Sequence, residues 1–218
     1  MNQQATDAME GTYGPRSRKG VKYQRGELTR QRILNRAWEA FAARGFNGAS
    51  MNEIAKAAEV TLAGLIFHYP NKIELFTSVL RAHEAADTDS LLSALGTEPT
   101  GFEVLDAFTR TARANAERYQ FVLLTHLNNA ESASSPDHPG RGFAQRHYQF
   151  SRQLVKDAFQ RSIDSGEVRR DVDPEAIGIQ VVAMSEGIEN QWLQEPGCID
   201  LAESFKTWAE SLKSSLRP

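Results

Sequence analysis

Apolar residues recur at intervals of three and four along most of this chain of 218 residues, which is the spacing of one helix face. Beyond three helices near the amino terminus, the pattern predicts helices at 72–86, 101–117, 119–132, 141–165, 174–194 and 200–215. Residues suited to capping precede three of them: Thr100 with Glu103, Asp173 before Pro174, and Asp200 with Glu203. No set of segments alternates as strands do, so we expect an all-α fold with about nine helices in all.

Two short helices joined by a tight turn are predicted within residues 49–72. Ser50 followed by Glu53 has the pattern of a capping box, which starts the first helix. Thr61 is a suitable N-cap for the second helix, which reaches about His68. Such a helix-turn-helix can place its second helix in the major groove of DNA. A structural hairpin within an ordinary bundle is the alternative interpretation.

A longer helix, predicted from about Glu27 to Arg44, precedes this unit. Its apolar stripe includes Trp38 and Phe41, which we interpret as core residues, and Gly45 can end it. The three helices together predict a small bundle that holds the second short helix against its neighbours.

Basic side chains are concentrated just before the helix-turn-helix. Between residues 16 and 36 a single acid, Glu27, faces eight basic residues: Arg16, Arg18, Lys19, Lys22, Arg25, Arg30, Arg32 and Arg36. The whole chain has a net charge of -3, so the positive charge is local and indicates one DNA-binding face rather than a general nucleic-acid coat. A solvated tail is the alternative for the first 20 residues.

The segment from Thr29 to Lys72 resembles the DNA-binding domain of the TetR family of bacterial transcriptional regulators. The matching positions are Thr29 to Leu34, Ala37, Phe41, Gly45 and Phe46, Ser50 and Met51, Ile54 and Ala55, Ala58, Val60 and Thr61, Leu65, and Tyr69 to Lys72. The basic run predicts a flexible basic arm at 1–25, and the resemblance implies a DNA-binding domain at 26–71 and a helical ligand-binding and dimerisation domain at 72–218. It further implies a homodimer that binds a palindromic operator in double-stranded DNA, usually as a repressor, and that a small-molecule inducer releases.

The resemblance also implies roles for single residues. Phosphate contacts are expected at Ser50, Thr61, Tyr69 and Lys72, while the arm residues Arg16, Arg18, Lys19, Lys22 and Arg25 add charge. The groove-facing helix starts after Thr61, where Leu62, Ala63 and Gly64 are positioned to approach the bases.

Two single positions depart from the family pattern. Glu59 stands at a turn where glycine is usual, so either the turn is shifted or backbone strain is tolerated. Ile66 stands where tyrosine is common, so one phosphate contact is missing.

The groove-facing segment 61–68 also contains no Arg, Lys, Asn or Gln, which make the bidentate base contacts. We therefore expect recognition to rest on Thr61 and His68, on contacts of Leu62 or Ala63 with thymine methyl groups, and on the arm in the minor groove.

The last two helices carry apolar stripes at helical spacing. Because the penultimate helix has two apolar sides, we expect these stripes to form a dimer interface of four helices: Ile177, Val181, Met184, Ile188, Trp192, Leu201, Phe205, Trp208 and Leu212.

Aromatic residues and two histidines fall on the middle helices, where the resemblance places a ligand pocket. An aromatic stripe is more often core, but we retain six pocket candidates: Phe102, Phe121, His126, Phe143, His147 and Phe150. Few charges fall at these positions, which favours an apolar or flat ligand. Ligand binding would shift the dimer away from the operator spacing, with the helix from about Asn71 to Ala86 as the lever.

Other functions find little support in the sequence. One cysteine, Cys198, leaves no intramolecular disulfide, and we expect a cytoplasmic protein without a cofactor, a metal site or a membrane span. No short catalytic or phosphate-binding motif is present, so we do not expect an enzyme. An all-helical enzyme without such motifs, or a helical adaptor that binds protein, remains the alternative.

Overall fold

The computed structural model describes residues 18–93 and 95–218, without the side chains of residues 18–24, 87 and 90. These residues form nine helices: α1 (Arg18–Gly48), α2 (Met51–Ala57), α3 (Leu62–His68), α4 (Lys72–Leu92), α5 (Gly101–Ala116), α6 (Tyr119–Ser134), α7 (Arg141–Ser165), α8 (Pro174–Gln194) and α9 (Leu201–Leu216). The predicted all-α fold is confirmed.

Polar caps fix several helix starts as the sequence predicts. The Thr100 hydroxyl accepts a hydrogen bond from the Glu103 amide, and the Glu103 carboxylate accepts one from the Thr100 amide, so both orphan donors are satisfied. Asp173 caps α8 by accepting a hydrogen bond from the Glu175 amide, and Asp200 caps α9 by accepting one from the Glu203 amide. Gly166 ends α7 with a left-handed φ of 81°.

One predicted helix start and one predicted cap are wrong. Helix α1 begins at Arg18 and not near Glu27, so part of the predicted flexible arm is helical. Helix α2 begins at Met51 as predicted, but the Ser50 side chain makes no capping hydrogen bond, and the Glu53 carboxylate pairs with Arg44 of α1 instead of reaching back to the Ser50 amide. Helix α2 therefore depends on packing against α1 more than on its own cap.

A first core lies beneath α3 and joins α1, α2 and the first half of α4. Its fully buried members include Ile33, Phe41, Ile54, Leu65 and Phe76. Each such side chain contributes about 1.5–3 kcal/mol through burial, which stabilises helices that are too short to persist alone. Two residues of the following helices, Leu124 and Phe143, belong to the same core and tie it to the rest of the chain.

A second contact joins the two halves of the molecule at Gly45. Its backbone adopts φ 67° and ψ -178°, a region open essentially to glycine alone, and this bend separates the end of α1 from its body. The bend aims the amide of Phe46 at Glu131 of α6, whose carboxylate accepts its hydrogen bond at 2.8 Å. A Cβ on Gly45 would stand 2.1 Å from the same carboxylate. Only glycine fits this position without moving Glu131.

The second core is built by α5, α7, α8 and α9, and it contains most of the residues expected at the dimer interface. Six of them are at most 8% exposed within one subunit: Ile177, Val181, Ile188, Trp192, Leu201 and Phe205. Met184, Trp208 and Leu212 are half-buried against them. The six buried residues thus pack within the subunit and not at its surface, which is a correction, while the contact of the three half-buried ones with a second subunit stays a prediction. A dimer through α8 and α9 must use their outer faces.

Among the described residues, no helix combines the length and the apolar character needed to cross a lipid bilayer.

Candidate DNA-binding face and ligand cavity

The turn between α2 and α3 has the geometry of a helix-turn-helix. Thr61 precedes α3, and its hydroxyl accepts a hydrogen bond from the Gly64 amide at 3.0 Å. Leu65 is the fully buried anchor of α3. Glu59 adopts φ 55°, so the turn is in register and this residue tolerates the left-handed conformation that glycine would adopt at lower cost.

Helix α3 presents an apolar face away from the core. Because Leu65 points inward, positions 63 and 67, two residues away on either side, point outward. Phe67 is 84% exposed, and Leu62 and Ile66 are partly exposed at 37% and 44%. Sequence reasoning missed Ile66 and Phe67 as candidates for base contact, although the helical spacing from Leu65 was sufficient to place them. Apolar side chains of this kind can contact thymine methyl groups but cannot read guanine or adenine edges.

The residues predicted to contact phosphate differ in how accessible they are. Lys72 lies beside α3, with its ammonium 3.2 Å from the Asn47 carbonyl oxygen and 4.7 Å from the centre of the Phe46 ring. Ser50 is half-buried at the start of α2. Tyr69 is only 2% exposed, and its hydroxyl is buried without a hydrogen-bond partner. This burial raises the pKa of Tyr69 and argues against a direct phosphate contact there, contrary to the prediction.

The basic arm is described only in part. Arg16 lies outside the described residues, and the side chains of Arg18, Lys19 and Lys22 do as well, although their backbone is in α1. Arg25 is exposed on the same helix. The predicted minor-groove role of this segment stays a prediction.

Two neighbouring cavities lie in the second half of the molecule, the smaller lined by residues of α4, α5, α6, α7 and α8 and the larger by residues of α4 and α7. The smaller, of about 60 Å³, is lined by two of the six pocket candidates, Phe121 and His147. The larger, of about 430 Å³, is lined by His147, Phe143 and Phe150. Leu91, His147 and Ser151 border both cavities, so the two share a wall.

The remaining two pocket candidates line neither of these cavities. His126 stands behind the smaller one, where its Nε2 lies 3.2 Å from a carboxylate oxygen of Glu189. Phe102 packs against Phe159 in the second core.

Two carboxylates in the smaller cavity contradict the expectation of a lining with few charges. Glu186 and Glu189 of α8 follow Val182 at helical spacing, and all three line the cavity. Tyr148 donates its hydroxyl proton to Glu186, and burial followed by this carboxylate raises the pKa of Tyr148. Sequence reasoning missed both residues because the apolar stripe of α8 was interpreted as a dimer interface. The two acids follow Val182 on the same side of the helix, and this change from apolar to acidic residues was the available sequence signal.

A stack of rings connects the smaller cavity to α1. His83 of α4, Trp38 of α1 and Phe121 of α6 pack as a cluster of three rings. The ring centres are 5.1 Å apart for Trp38 and His83, 3.7 Å for His83 and Phe121, and 5.6 Å for Trp38 and Phe121. The His83 Nε2 is 3.0 Å from the Phe121 carbonyl oxygen, which can only accept, so this nitrogen carries the proton. Burial is the main cause that lowers the pKa of His83 to about 4, and the ring is therefore neutral near pH 7.

Comparison with known proteins places the amino-terminal part of the chain. Residues 33–79 match the family described as "Bacterial regulatory proteins, tetR family". Beyond that segment, 25% identity to the HTH-type transcriptional regulator TtgR of Pseudomonas putida extends over 206 residues, which cover 87% of this chain and 91% of TtgR. The chain thus carries the amino-terminal domain of the TetR family and is similar to a transcriptional regulator along most of its length.

Other TetR-family proteins are similar over different lengths. The HTH-type transcriptional regulator SrpR of Pseudomonas putida is 38% identical over 58 residues, a stretch that covers only 27% of each chain. The solved complex of SmeT with triclosan has a TM-score of 0.71 at 19% identity and covers 86% of this chain and 90% of that one. SmeT is a repressor from Stenotrophomonas maltophilia. At this identity the likeness to SmeT shows a shared fold.

Proposed function

We propose that this protein is a ligand-responsive transcriptional repressor that binds an inverted-repeat operator as a homodimer and leaves it when a small molecule occupies the cavities. Residues 26–71 would bind DNA, and residues 72–218 would bind the ligand and the second subunit. Since its target is DNA in a bacterial cell, we place it in the cytoplasm. The names of TtgR and SmeT, a regulator and an efflux-pump repressor, support this assignment.

Helix α4 is the observation that carries the proposal. At its start, Leu75 and Phe76 are buried in the core beneath α3, and at its end Leu91 borders both cavities. A ligand that moves Leu91 therefore acts on the helix that supports the DNA-binding face. The stack of Trp38, His83 and Phe121 adds a second route from the cavity wall to α1.

The switch would be a shift between two states of the dimer. Two recognition helices must stand about 34–36 Å apart, or a multiple of it, to enter successive major grooves. A ligand that binds more tightly to a state with another spacing moves the population away from the DNA-binding state. The binding energy it can contribute is limited to its difference in affinity between the states.

The outer faces of α8 and α9 are the proposed contact between subunits. On α8 the exposed positions Ile179, Ala183 and Gly187 follow each other at intervals of four, and they form one apolar face whose last two residues are small. On α9 the exposed residues Ser204, Thr207 and Ser211 are likewise small. Small side chains allow helices of two subunits to approach closely.

The dimer surface can be tested without disturbing the fold of one subunit. A Cβ at Gly187 would have no neighbour within 4 Å, so the subunit accommodates Gly187→Arg. We expect this variant to sediment as a monomer and to lose operator binding. Gly197→Arg is the matched control, since Gly197 is equally open but lies beyond the end of α8. A Gly187→Arg protein that remains dimeric would show that the subunits meet elsewhere.

The function itself is tested by selection of bound sequences from random duplexes at a fixed salt concentration. We expect enrichment of an inverted repeat, because two identical subunits related by a two-fold axis contact two identical half-sites. The same selection with Phe67→Ala should enrich a weaker or altered half-site. Recovery of unselected sequences, bound only at low salt, would refute sequence-specific regulation.

A further inference from the structure

The smaller cavity holds two carboxylates whose hydrogen-bond partners are uncharged donors and imidazoles. The Glu186 and Glu189 side chains are 21% and 13% exposed. Their uncharged donors are the amides of Asn115 and Asn129 and the hydroxyl of Tyr148. The imidazoles of His126 and His147 lie within 3.2 and 3.7 Å of them. None of the residues described as lining this cavity is Lys or Arg.

An unpaired acceptor lies in the same wall. Asn115 is 5% exposed, and its amide nitrogen donates to a Glu189 oxygen at 2.9 Å. This bond fixes the orientation of the amide and leaves the Asn115 Oδ1 as a buried oxygen without a hydrogen-bond partner. A buried acceptor without a partner is unfavourable, so a ligand donor that reached this oxygen would be favoured. The smaller cavity thus offers two carboxylates, with an unpaired amide oxygen behind its wall, to a group rich in N–H donors.

The two cavities differ in size, which indicates a ligand with a small polar head and a larger apolar body. The smaller, of about 60 Å³, has room for little more than a charged head group. The larger, of about 430 Å³, is bordered by Phe143 and Phe150 and is within the range of small-molecule sites. Its own charged pair, Glu84 and Arg146, is joined at 3.5 Å and leaves the aromatic side for an apolar body.

We propose that the inducer is an organic cation, with a protonated amine or amidine held by Glu186, Glu189 and Asn115 Oδ1 in the smaller cavity and a flat apolar body in the larger one. This inference rests on the proposed function, because it names the class of ligand to which the repressor responds. A cation placed here would also contact Phe121, which stacks on His83, and so reach the route toward α1.

Three compounds that share a naphthalene body test the charge requirement. They are 2-(1-naphthyl)ethylamine, the neutral 2-(1-naphthyl)ethanol and the anionic 1-naphthylacetate, titrated into the full-length protein by calorimetry near pH 7 in the absence of DNA. Hydrogen bonds to a charged group predict that the amine binds roughly 10- to 100-fold more tightly than the alcohol, and that the acetate binds least. Equal affinities for the amine and the alcohol would overturn the proposal, as would a preference for the acetate.

Variants then assign the preference to this cavity. Glu186→Gln and Glu189→Gln keep the side-chain shape and remove one charge each, and we expect the preference for the amine over the alcohol to fall roughly tenfold in each. Glu195→Gln, an exposed residue beyond α8, is the control and should keep it. An unchanged preference in both cavity variants would overturn the site, and the wild-type comparison holds even if a variant folds poorly.

Failure of this inference is distinguishable from failure of the proposed function. A protein that selects an inverted repeat but shows no preference for the amine is a repressor whose ligand belongs to another class. A protein that prefers the amine but enriches no DNA sequence binds organic cations without being a repressor.

Discussion

Replacing His83 by glutamine should reduce the loss of stability that the protein suffers in mild acid. In the folded chain His83 is buried against the rings of Trp38 and Phe121, and its pKa is lowered to about 4 from an ordinary 6.5. The charges of His147 and Arg118 lower it further after burial. Its Nε2 donates to a carbonyl, while its Nδ1 has no partner to receive a proton.

The sign and size follow from these values. Between pH 6.5 and 4 the unfolded chain binds a proton at His83 and the folded chain does not, so the free energy of unfolding falls as the pH falls. The stability is fully present above the unfolded pKa and is lost progressively toward the folded one. A difference of this size corresponds to about 3 kcal/mol at pH 4, relative to about pH 7.5.

Urea unfolding at a series of pH values between about 7.5 and 4 measures this loss. Both His83→Gln and His83→Phe should show a fall that is smaller than that of the wild type by about 3 kcal/mol, since neither side chain titrates. The phenylalanine variant keeps the ring stack and serves as the control for lost packing. If both variants lose stability as steeply as the wild type, His83 is not the group responsible and its neutral, buried state is wrong.

Three substitutions test the backbone and capping features. Gly45→Ala should lower the free energy of unfolding in urea by about 2.5–6 kcal/mol, because it strains the backbone and displaces Glu131. The control Gly26→Ala changes a helical glycine with nothing within 4 Å and should stabilise by up to about 1 kcal/mol. Equal effects of the two substitutions would contradict this. Glu59→Gly should raise the free energy of unfolding by about 0.5–1 kcal/mol while Glu59→Ala does not, and a gain in both would mean that φ strain is not the cause. Thr61→Ala should lower the free energy of unfolding by about 0.5–2 kcal/mol, and Thr61→Ser should leave it almost unchanged. An alanine variant as stable as the wild type would show that the Thr61 cap does not stabilise α3.

Helix positions were predictable because local chemistry decides them. The bounds predicted for α7 and α8 agree with the structure, since glycine, proline and aspartate stand at their ends. The start of α1 could not be predicted, because its first residues are mostly charged and show no apolar periodicity. The Glu53 half of the capping box failed for another reason, because its carboxylate pairs with Arg44 of the neighbouring helix, a contact that local spacing does not reveal.

The sites were predictable only in part. The turn and the start of α3 followed from Thr61 and Leu65, and the outward position of Phe67 follows from the same spacing. The surface against which an apolar stripe packs could not be predicted from the sequence. The stripe that contains Val181 has the same spacing whether it packs inside its subunit or against a second one. Glu186 and Glu189 of α8 could be recognised as site residues only from the fold, because the fold places them in a cavity with aromatic residues in its wall.

The central claim is that two copies of this chain bind one operator together. Sedimentation of the protein with a selected inverted-repeat duplex, and with the same duplex carrying one scrambled half-site, tests it most directly. We predict two chains on each intact duplex and a large loss of affinity when either half-site is scrambled. A single chain on each duplex, bound equally well to one half-site alone, would contradict the account.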